Sequence, residues 1–231
     1  MLGKQFIRRQ LARRGIHVHR MPSIADFLAS RAVDVVLDVG ANTGQFAKSL
    51  RQDGYRGRIV SFEPTSGPFA ELAAAAANDP LWEVHKYALG SETRRSDIHV
   101  SENSVFNSIA DLTSYALVFD PQARVVGTET VEVIRLDDFL DGADFARTFL
   151  KIDTQGYERQ VLDGAPRVLE SCPGVLLELP ANHLYEEVWS IGDAFNFMSA
   201  KGFTISQMRP IAPLHHDPVS TVEIDCLFRR T

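Results

Sequence analysis

The sequence predicts an α/β fold, a doubly wound and mostly parallel sheet, on three observations. The apolar runs Val33 to Val39, Arg58 to Glu63, Trp82 to Leu89, Thr148 to Asp153 and Gly174 to Leu179 have the length and branched-residue content of strands buried on both faces. Helix-compatible segments lie between them, Gln45 to Gln52, Pro68 to Ala77, Tyr157 to Glu170 and Leu184 to Lys201, and such alternation calls for right-handed parallel crossovers. Two β-rich segments, Phe203 to Met208 and Val222 to Phe228, close the chain around a loop containing Pro and His. They predict a terminal hairpin that adds an antiparallel strand at the sheet edge.

The remaining segments are assigned around that sheet. A chain of 231 residues is about one and a half ordinary domains of ~150 residues, so we expect an N-terminal arm over 1–31 and one domain over 32–231. Ser23 and Asp26 make a capping-box-like start for a helix to Ser30. Residues 96–135 break the alternation with short strand signals and a polar middle, an insertion of the kind that shapes sites at strand ends.

Composition excludes several classes. With 45% hydrophobic and 23% charged residues, the chain lies outside the disordered and fibrous regimes. Net charge is −6, yet the first twenty residues hold six basic and no acidic side chains. The rest is therefore more acidic than the whole, which argues against a nucleic-acid partner. The two cysteines, Cys172 and Cys226, form neither a CxxC pair nor a disulfide framework. No run nears the ~18 apolar residues of a membrane span, and the basic arm is not followed by a secretory apolar region. A cytoplasmic protein is expected, of unknown oligomeric state. In the arm, Leu2, Phe6, Ile7 and Leu11 fall at spacings compatible with one helical face among arginines. An ordinary packed helix and peripheral contact with an anionic membrane or charged acceptor both remain open.

In an open α/β sheet, ligands bind beyond the carboxyl ends of the strands. The first such end reads Asp38-Val39-Gly40-Ala41-Asn42-Thr43-Gly44. Its glycine spacing is G-x-x-x-G, where a dinucleotide fingerprint would be G-x-G-x-x-G. Asn42 stands where a glycine would meet a pyrophosphate, and Asp38 adds a carboxylate. That combination disfavours an NAD-dependent dehydrogenase and favours a ligand with a cationic amino acid moiety and no phosphate, such as S-adenosylmethionine. The next run ends in Glu63, near the ~20-residue offset at which an acid reaches ribose hydroxyls. Tyr87-Ala88-Leu89-Gly90 offers small and apolar side chains to flank an adenine.

The motifs VVLDVGANTGQF, SFEP, ALGSE, LKIDTQGYERQVLDGA, LELPANHLY and VEIDCLFRR, in that order across about residues 33–229, resemble the FkbM family of S-adenosylmethionine-dependent methyltransferases. The resemblance implies a seven-strand, Rossmann-like class I methyltransferase sheet and O-methylation. It implies as acceptors sugar hydroxyls of glycolipids or polysaccharides, or polyketide hydroxyls. By motif it assigns cofactor binding to Asp38, Gly40, Asn42, Thr43, Gly44 and Glu63, with Tyr87 and Ala88 near the adenine and Ser108 near the cofactor. Two departures stand out: Asn107 replaces a serine common in relatives, and Pro180-Ala181-Asn182-His183 replaces a more apolar stretch. The second leaves room for a non-catalytic binding protein.

Methyl transfer to a hydroxyl needs in-line placement and benefits from a general base. Asp153, Glu178 and His183 qualify by their position at strand ends; histidine has the best unperturbed pKa, whereas either carboxylate needs it raised. Lys151 shares the strand face of Asp153. Asp153 and Glu178 holding Mg²⁺ through waters is an alternative, not the favoured one, and Leu214-His215-His216-Asp217-Pro218 lacks further ligands at a metal-site spacing.

Overall fold

The computed structural model describes residues 10–11, 13–15, 22–140, 145–214 and 217–231. Most of the basic arm, and His215 and His216, lie outside the described residues. The elements are α1 (Ile24–Ser30), β1 (Val35–Val39), α2 (Gln45–Gln52), β2 (Arg58–Phe62), α3 (Ser66–Ala76), β3 (Trp82–His85), β4 (Ala88–Leu89) and β5 (Arg94–Ser101). Then come α4 (Ser114–Phe119), β6 (Val125–Ile134), α5 (Leu136–Phe139), β7 (Thr148–Ile152), α6 (Glu158–Asp163), α7 (Pro166–Ser171), β8 (Gly174–Pro180), α8 (Ile191–Ala200), β9 (Phe203–Leu214) and β10 (Asp217–Arg230).

Seven strands form the main sheet in the order β3-β2-β1-β7-β8-β10-β9. Neighbours from β3 to β8 pair in parallel, and β10 runs antiparallel to both β8 and β9. The doubly wound prediction holds, with one refinement: the antiparallel strand is second from the edge, and β9 takes the edge. Pro210 and Pro213 in β9 suit an edge, where a missing N–H breaks no ladder. At the centre, every residue of β7 is buried, as a strand covered on both faces requires.

Three predicted elements differ. The run 82–89 divides at Lys86–Tyr87, so that β4 leaves the main sheet and pairs with β6 in a second, three-stranded sheet of order β4-β6-β5 that the insertion supplies. The helix predicted over 157–170 breaks at Gly164 into α6 and α7. A Cβ at Gly164 would lie 1.9 Å from the carbonyl oxygen of Gly90, so the chain must pass there without a side chain, and Pro166 begins the next helix. The helix predicted from Leu184 starts only at Ile191, behind the Ser190–Asp193 capping box. Before it, Leu184 and Tyr185 are buried with Phe106, Ala116, Ala123 and Val222, which ties this segment to the insertion. The Ser23–Asp26 capping box forms as expected.

Alternation along the strands sorts the two faces of the main sheet. One face carries Leu37, Val39, Leu150, Ile152, Val175, Leu177, Cys226 and Phe228 into the larger core. The other begins apolar, with Val36, Phe149, Leu176 and Leu227 packed beneath α1 and α2. Toward the carboxyl ends of the strands that second face becomes polar.

Candidate active site

Adjacent register positions place Asp38 beside Lys151 and Glu178 beside Asp225. Asp153, just past β7, continues the alternation of Phe149 and Lys151 toward the same face. Above these residues lies a cavity of about 550 Å³, within the ~300–1,000 Å³ of small-molecule sites. Its floor is the carboxyl ends of the strands. Its roof comes from the insertion, through Ile98, Ile109, Phe119 and the segment Asn103–Asn107.

Gly40 and Gly44 have φ of +70° and +84°, a region in which a Cβ is costly. The reason for glycine is protein packing. A Cβ on Gly40 would lie 1.7 Å from the carbonyl oxygen of Asp153, and one on Gly44 would lie 2.8 Å from the Trp82 ring. Gly40 lines the cavity, whereas Gly44 and Thr43 do not. Asn42 lines it too. Its amide donates to Ser104 Oγ at 3.1 Å and its Oδ1 accepts the Thr43 N–H at 2.8 Å, joining the glycine loop to the roof.

Asp38 does not line the cavity. It is fully buried beneath the loop, accepts from Ser61 Oγ at 3.1 Å and lies 3.2 Å from the Lys151 ammonium. The expectation of a bare carboxylate facing a cationic ligand is therefore corrected, because its charge is matched inside the protein. Lys151 also donates to the carbonyls of Gly40 at 2.8 Å and Val39 at 3.3 Å and lies 3.4 Å from Asp153. Burial pulls the pKa of this ammonium down, but Asp153 and Asp38 together outweigh it and leave it above the ordinary lysine value.

Glu63, at the end of β2, lines the cavity and is 5% exposed. One carboxylate oxygen accepts the Asn42 N–H at 3.0 Å; the other accepts the Thr65 N–H at 2.9 Å and the Thr65 hydroxyl. Burial raises its pKa, against these bonds. Thr65 in turn accepts from the Asn107 amide at 3.3 Å, so the asparagine that departs from the family pattern supports Glu63. Tyr87 and Ala88 line the cavity with Leu89. Ser108 does not: it is buried, donates to the Gln155 carbonyl at 2.5 Å and accepts the Ala110 N–H at 2.9 Å, which fastens the insertion to the loop after β7.

Of the three candidate bases, the structure brings two together. The Gln155 amide, held at φ +55°, donates to Asp153 at 2.9 Å and to Glu178 at 2.7 Å, while the Tyr185 hydroxyl donates to Gln155 Oε1 at 2.8 Å. His183 is exposed and does not line the cavity, so its expected role as base is corrected: the loop after β8 turns it outward. Two acids that the sequence reading missed, Glu223 and Asp225 on β10, line the cavity beside Glu178. Burial raises the Glu178 pKa well above the carboxylate range, with Asp153, Glu223 and Asp225 adding to the effect. Burial and neighbouring acids also lift Glu223 to about 7 and Asp225 to about 6. Among the described residues, no three His, Cys, Asp or Glu side chains group so as to hold a metal ion, and no helix is long and apolar enough to cross a membrane.

The family model of the methyltransferase FkbM domain matches residues 38–205. No curated protein matches the chain. Among solved structures, it is similar to a TehB-like S-adenosylmethionine-dependent methyltransferase from Corynebacterium glutamicum at 9% identity and a TM-score of 0.41, over 100% of this chain and 96% of that one. A putative S-adenosylmethionine-dependent methyltransferase from Listeria monocytogenes is 8% identical over 89% of this chain and 96% of that one, with a TM-score of 0.48. The methyltransferase domain of bacterial CtHen1-C is 10% identical over 90% and 94%, with a TM-score of 0.49. Similarity at this level identifies no acceptor.

The residues present fit an S-adenosyl nucleoside. Glu63 is a buried carboxylate with lone-pair capacity left on the oxygen that Asn42 occupies, Tyr87 to Leu89 make an apolar wall, and acids of β7, β8 and β10 face the cavity without a basic side chain other than Lys151. The chain belongs to the FkbM methyltransferase family, and its cofactor is S-adenosylmethionine.

Proposed function

We propose that the protein transfers a methyl group to a hydroxyl oxygen, on a sugar of a glycolipid or polysaccharide, with Glu178 as general base. The observation that carries this reading is the row of carboxylates at the β7, β8 and β10 ends of the cavity. Neighbouring strands lie about 4.8 Å apart, so Glu63 on β2 and Glu178 on β8 are separated by about 14 Å across three strand steps. That span supports a reading with ribose at Glu63, the adenine at Tyr87 and Ala88, the amino acid portion at the Gly40–Asn42 loop, and the acceptor at the acids beyond. Asp38 acts from beneath the loop through Lys151, which holds the Gly40 and Val39 carbonyls, and Thr43 acts within the loop by donating its N–H to Asn42 Oδ1.

When bound, the cofactor supplies an electrophilic sulfonium methyl. The protein's own work is to orient the hydroxyl and receive its proton. Asp153 lies 3.4 Å from the Lys151 ammonium, whereas burial and the neighbouring acids Asp153, Glu223 and Asp225 raise the pKa of Glu178 well above its ordinary value, the direction that makes a carboxylate a stronger base. As the acceptor oxygen takes the methyl that the bound cofactor would supply, Glu178 would receive the proton of the breaking O–H bond. Sugar hydroxyls suit this wall because carboxylates and the Gln155 amide can accept and donate to several of them. Polyphosphate acceptors do not suit it, since the same carboxylates repel them. The buried, unpaired Cys172 and Cys226 support a reducing, cytoplasmic setting.

The test supplies methyl-labelled cofactor and a cell-envelope glycan extract and identifies the product by mass spectrometry. We expect label on a sugar oxygen, with single-turnover rates falling about 10²–10⁴-fold in Glu178→Gln. Label on nitrogen or carbon, or an unchanged rate in that variant, overturns the assignment.

A further inference from the structure

Beneath the acceptor side of the main cavity is a second, small one of about 10 Å³, lined by Glu158, Glu178, Glu223, Tyr185 and Gln155 among others. That volume is at the threshold for one water, which needs ~10–15 Å³. Glu178, Glu223 and Gln155 also line the main cavity, so these side chains form the wall between the two. Glu158 belongs to the lower chamber alone. It is 2% exposed. Its Oε1 accepts the N–H groups of Thr154 at 3.0 Å and Gly156 at 3.1 Å and the Thr154 hydroxyl at 3.2 Å, which accounts for its place at the start of α6. Its Oε2 is buried with no hydrogen-bond partner. A buried oxygen without a partner is costly, and the side chain that carries this one lines the small chamber.

Resting on the reading of Glu178 as base, we propose that Glu158, Glu178 and Glu223 share protons through one water in the lower chamber, and that this group stores the proton taken from the acceptor until the products leave. The three come from different elements, α6, β8 and β10. Carboxyls that line one small chamber and oppose one another's ionisation titrate as a group. The other charged and titratable groups around them are Asp153 after β7, Asp225 on β10, Lys151 on β7 and Tyr185 in the segment before α8. Only Lys151 is cationic, and Asp38 and Asp153 already engage it. No redox step is involved: a proton leaves the acceptor oxygen, resides on a carboxyl of the group, and returns to solvent through the main cavity once the products have left. Glu158 touches no acceptor and is a positioning residue for Glu178.

Glu158→Gln keeps an oxygen for the Thr154 and Gly156 N–H groups and removes the titratable site. Two readouts follow, on the full-length protein. Infrared spectra at pH 7, taken without acceptor, should show a protonated-carboxyl band that is lost or diminished in Glu158→Gln and displaced in Glu223→Gln. The pH profile of kcat at saturating cofactor and acceptor should move its acid limb downward in Glu223→Gln, because a neighbour that opposed ionisation of Glu178 is gone, and should be displaced in Glu158→Gln, which no longer raises Glu223. A band unchanged in both variants, or a superimposable pH profile, overturns the proposal. Should Glu158→Gln fail to fold, Glu223→Gln decides on the same readouts. Because the infrared band needs no acceptor, it separates failure of the proton store from failure of the hydroxyl-methylation reading.

Discussion

Replacing Lys151 with methionine should be among the most destabilising single changes in this protein. The ammonium lies 3.2 Å from Asp38 and 3.4 Å from Asp153 and donates to the Gly40 and Val39 carbonyls. Methionine is close in volume and leaves no large void. What it leaves is Asp38, fully buried, with only the Ser61 hydroxyl as a hydrogen-bond partner. Removing one member of a buried pair costs about 3–5 kcal/mol, most of it from the stranded charge. For a chain of this length that is a loss of roughly 6–20 °C in Tm. Urea unfolding measures it as a lower midpoint at constant slope. The double variant Asp38→Asn/Lys151→Met removes the stranded charge, and most of the loss should return, since neutral replacement of a buried pair is often close to neutral in stability. A single variant that costs less than about 1 kcal/mol, or a double variant no more stable than the single, would refute the claim that the Lys151–Asp38 pair holds the loop.

Glu63→Gln should weaken S-adenosylhomocysteine binding by about 1.5–3 kcal/mol, the value of hydrogen bonds to a charged group, read by titration calorimetry. Glu223 has a pKa near 7 in the folded protein, against an ordinary glutamate value of 4.5, so between those pH values the folded state holds a proton that the unfolded chain has lost. Its contribution to stability therefore falls as pH rises through that window, by on the order of 2–3 kcal/mol, and Glu223→Gln should flatten the loss in urea unfolding at pH 5 and 8. His183→Ala, at an exposed position, should leave single-turnover methylation at the wild-type rate. Gly40→Ala places a Cβ 1.7 Å from the Asp153 carbonyl; it should cost about 1–3 kcal/mol through overpacking and abolish cofactor binding in the same calorimetric assay.

Much of this site was legible in the sequence because strand alternation writes the polar face in advance. Asp38, Lys151 and Glu178 interrupt apolar runs at positions that β pairing brings together, and the ends of those runs are where an α/β sheet binds ligands. The same signal was present in Glu223-Ile224-Asp225-Cys226-Leu227, where period-two alternation puts both acids on one face, yet the segment reads as an edge hairpin until the order of strands is known. Insertion of β10 between β8 and β9 turns those acids from edge residues into neighbours of Glu178, and a topological fact of that kind has no local signature.

Spacing also misled where a single residue could have two physical causes. Gly40 and Gly44 suggest backbone yielding to a ligand, but the atoms that exclude their side chains belong to Asp153 and Trp82. Asp38 suggests a charge offered to a ligand, but strand pairing supplies Lys151 at 3.2 Å. Both cases share an origin: a sequence motif reports that a position is constrained and not by what. The acids that reach the cavity from its far side, Glu178, Glu223 and Asp225, stand on β8 and β10 beyond β7, so the acidic character that the glycine motif suggests for Asp38 belongs to a wall that no single motif spells out.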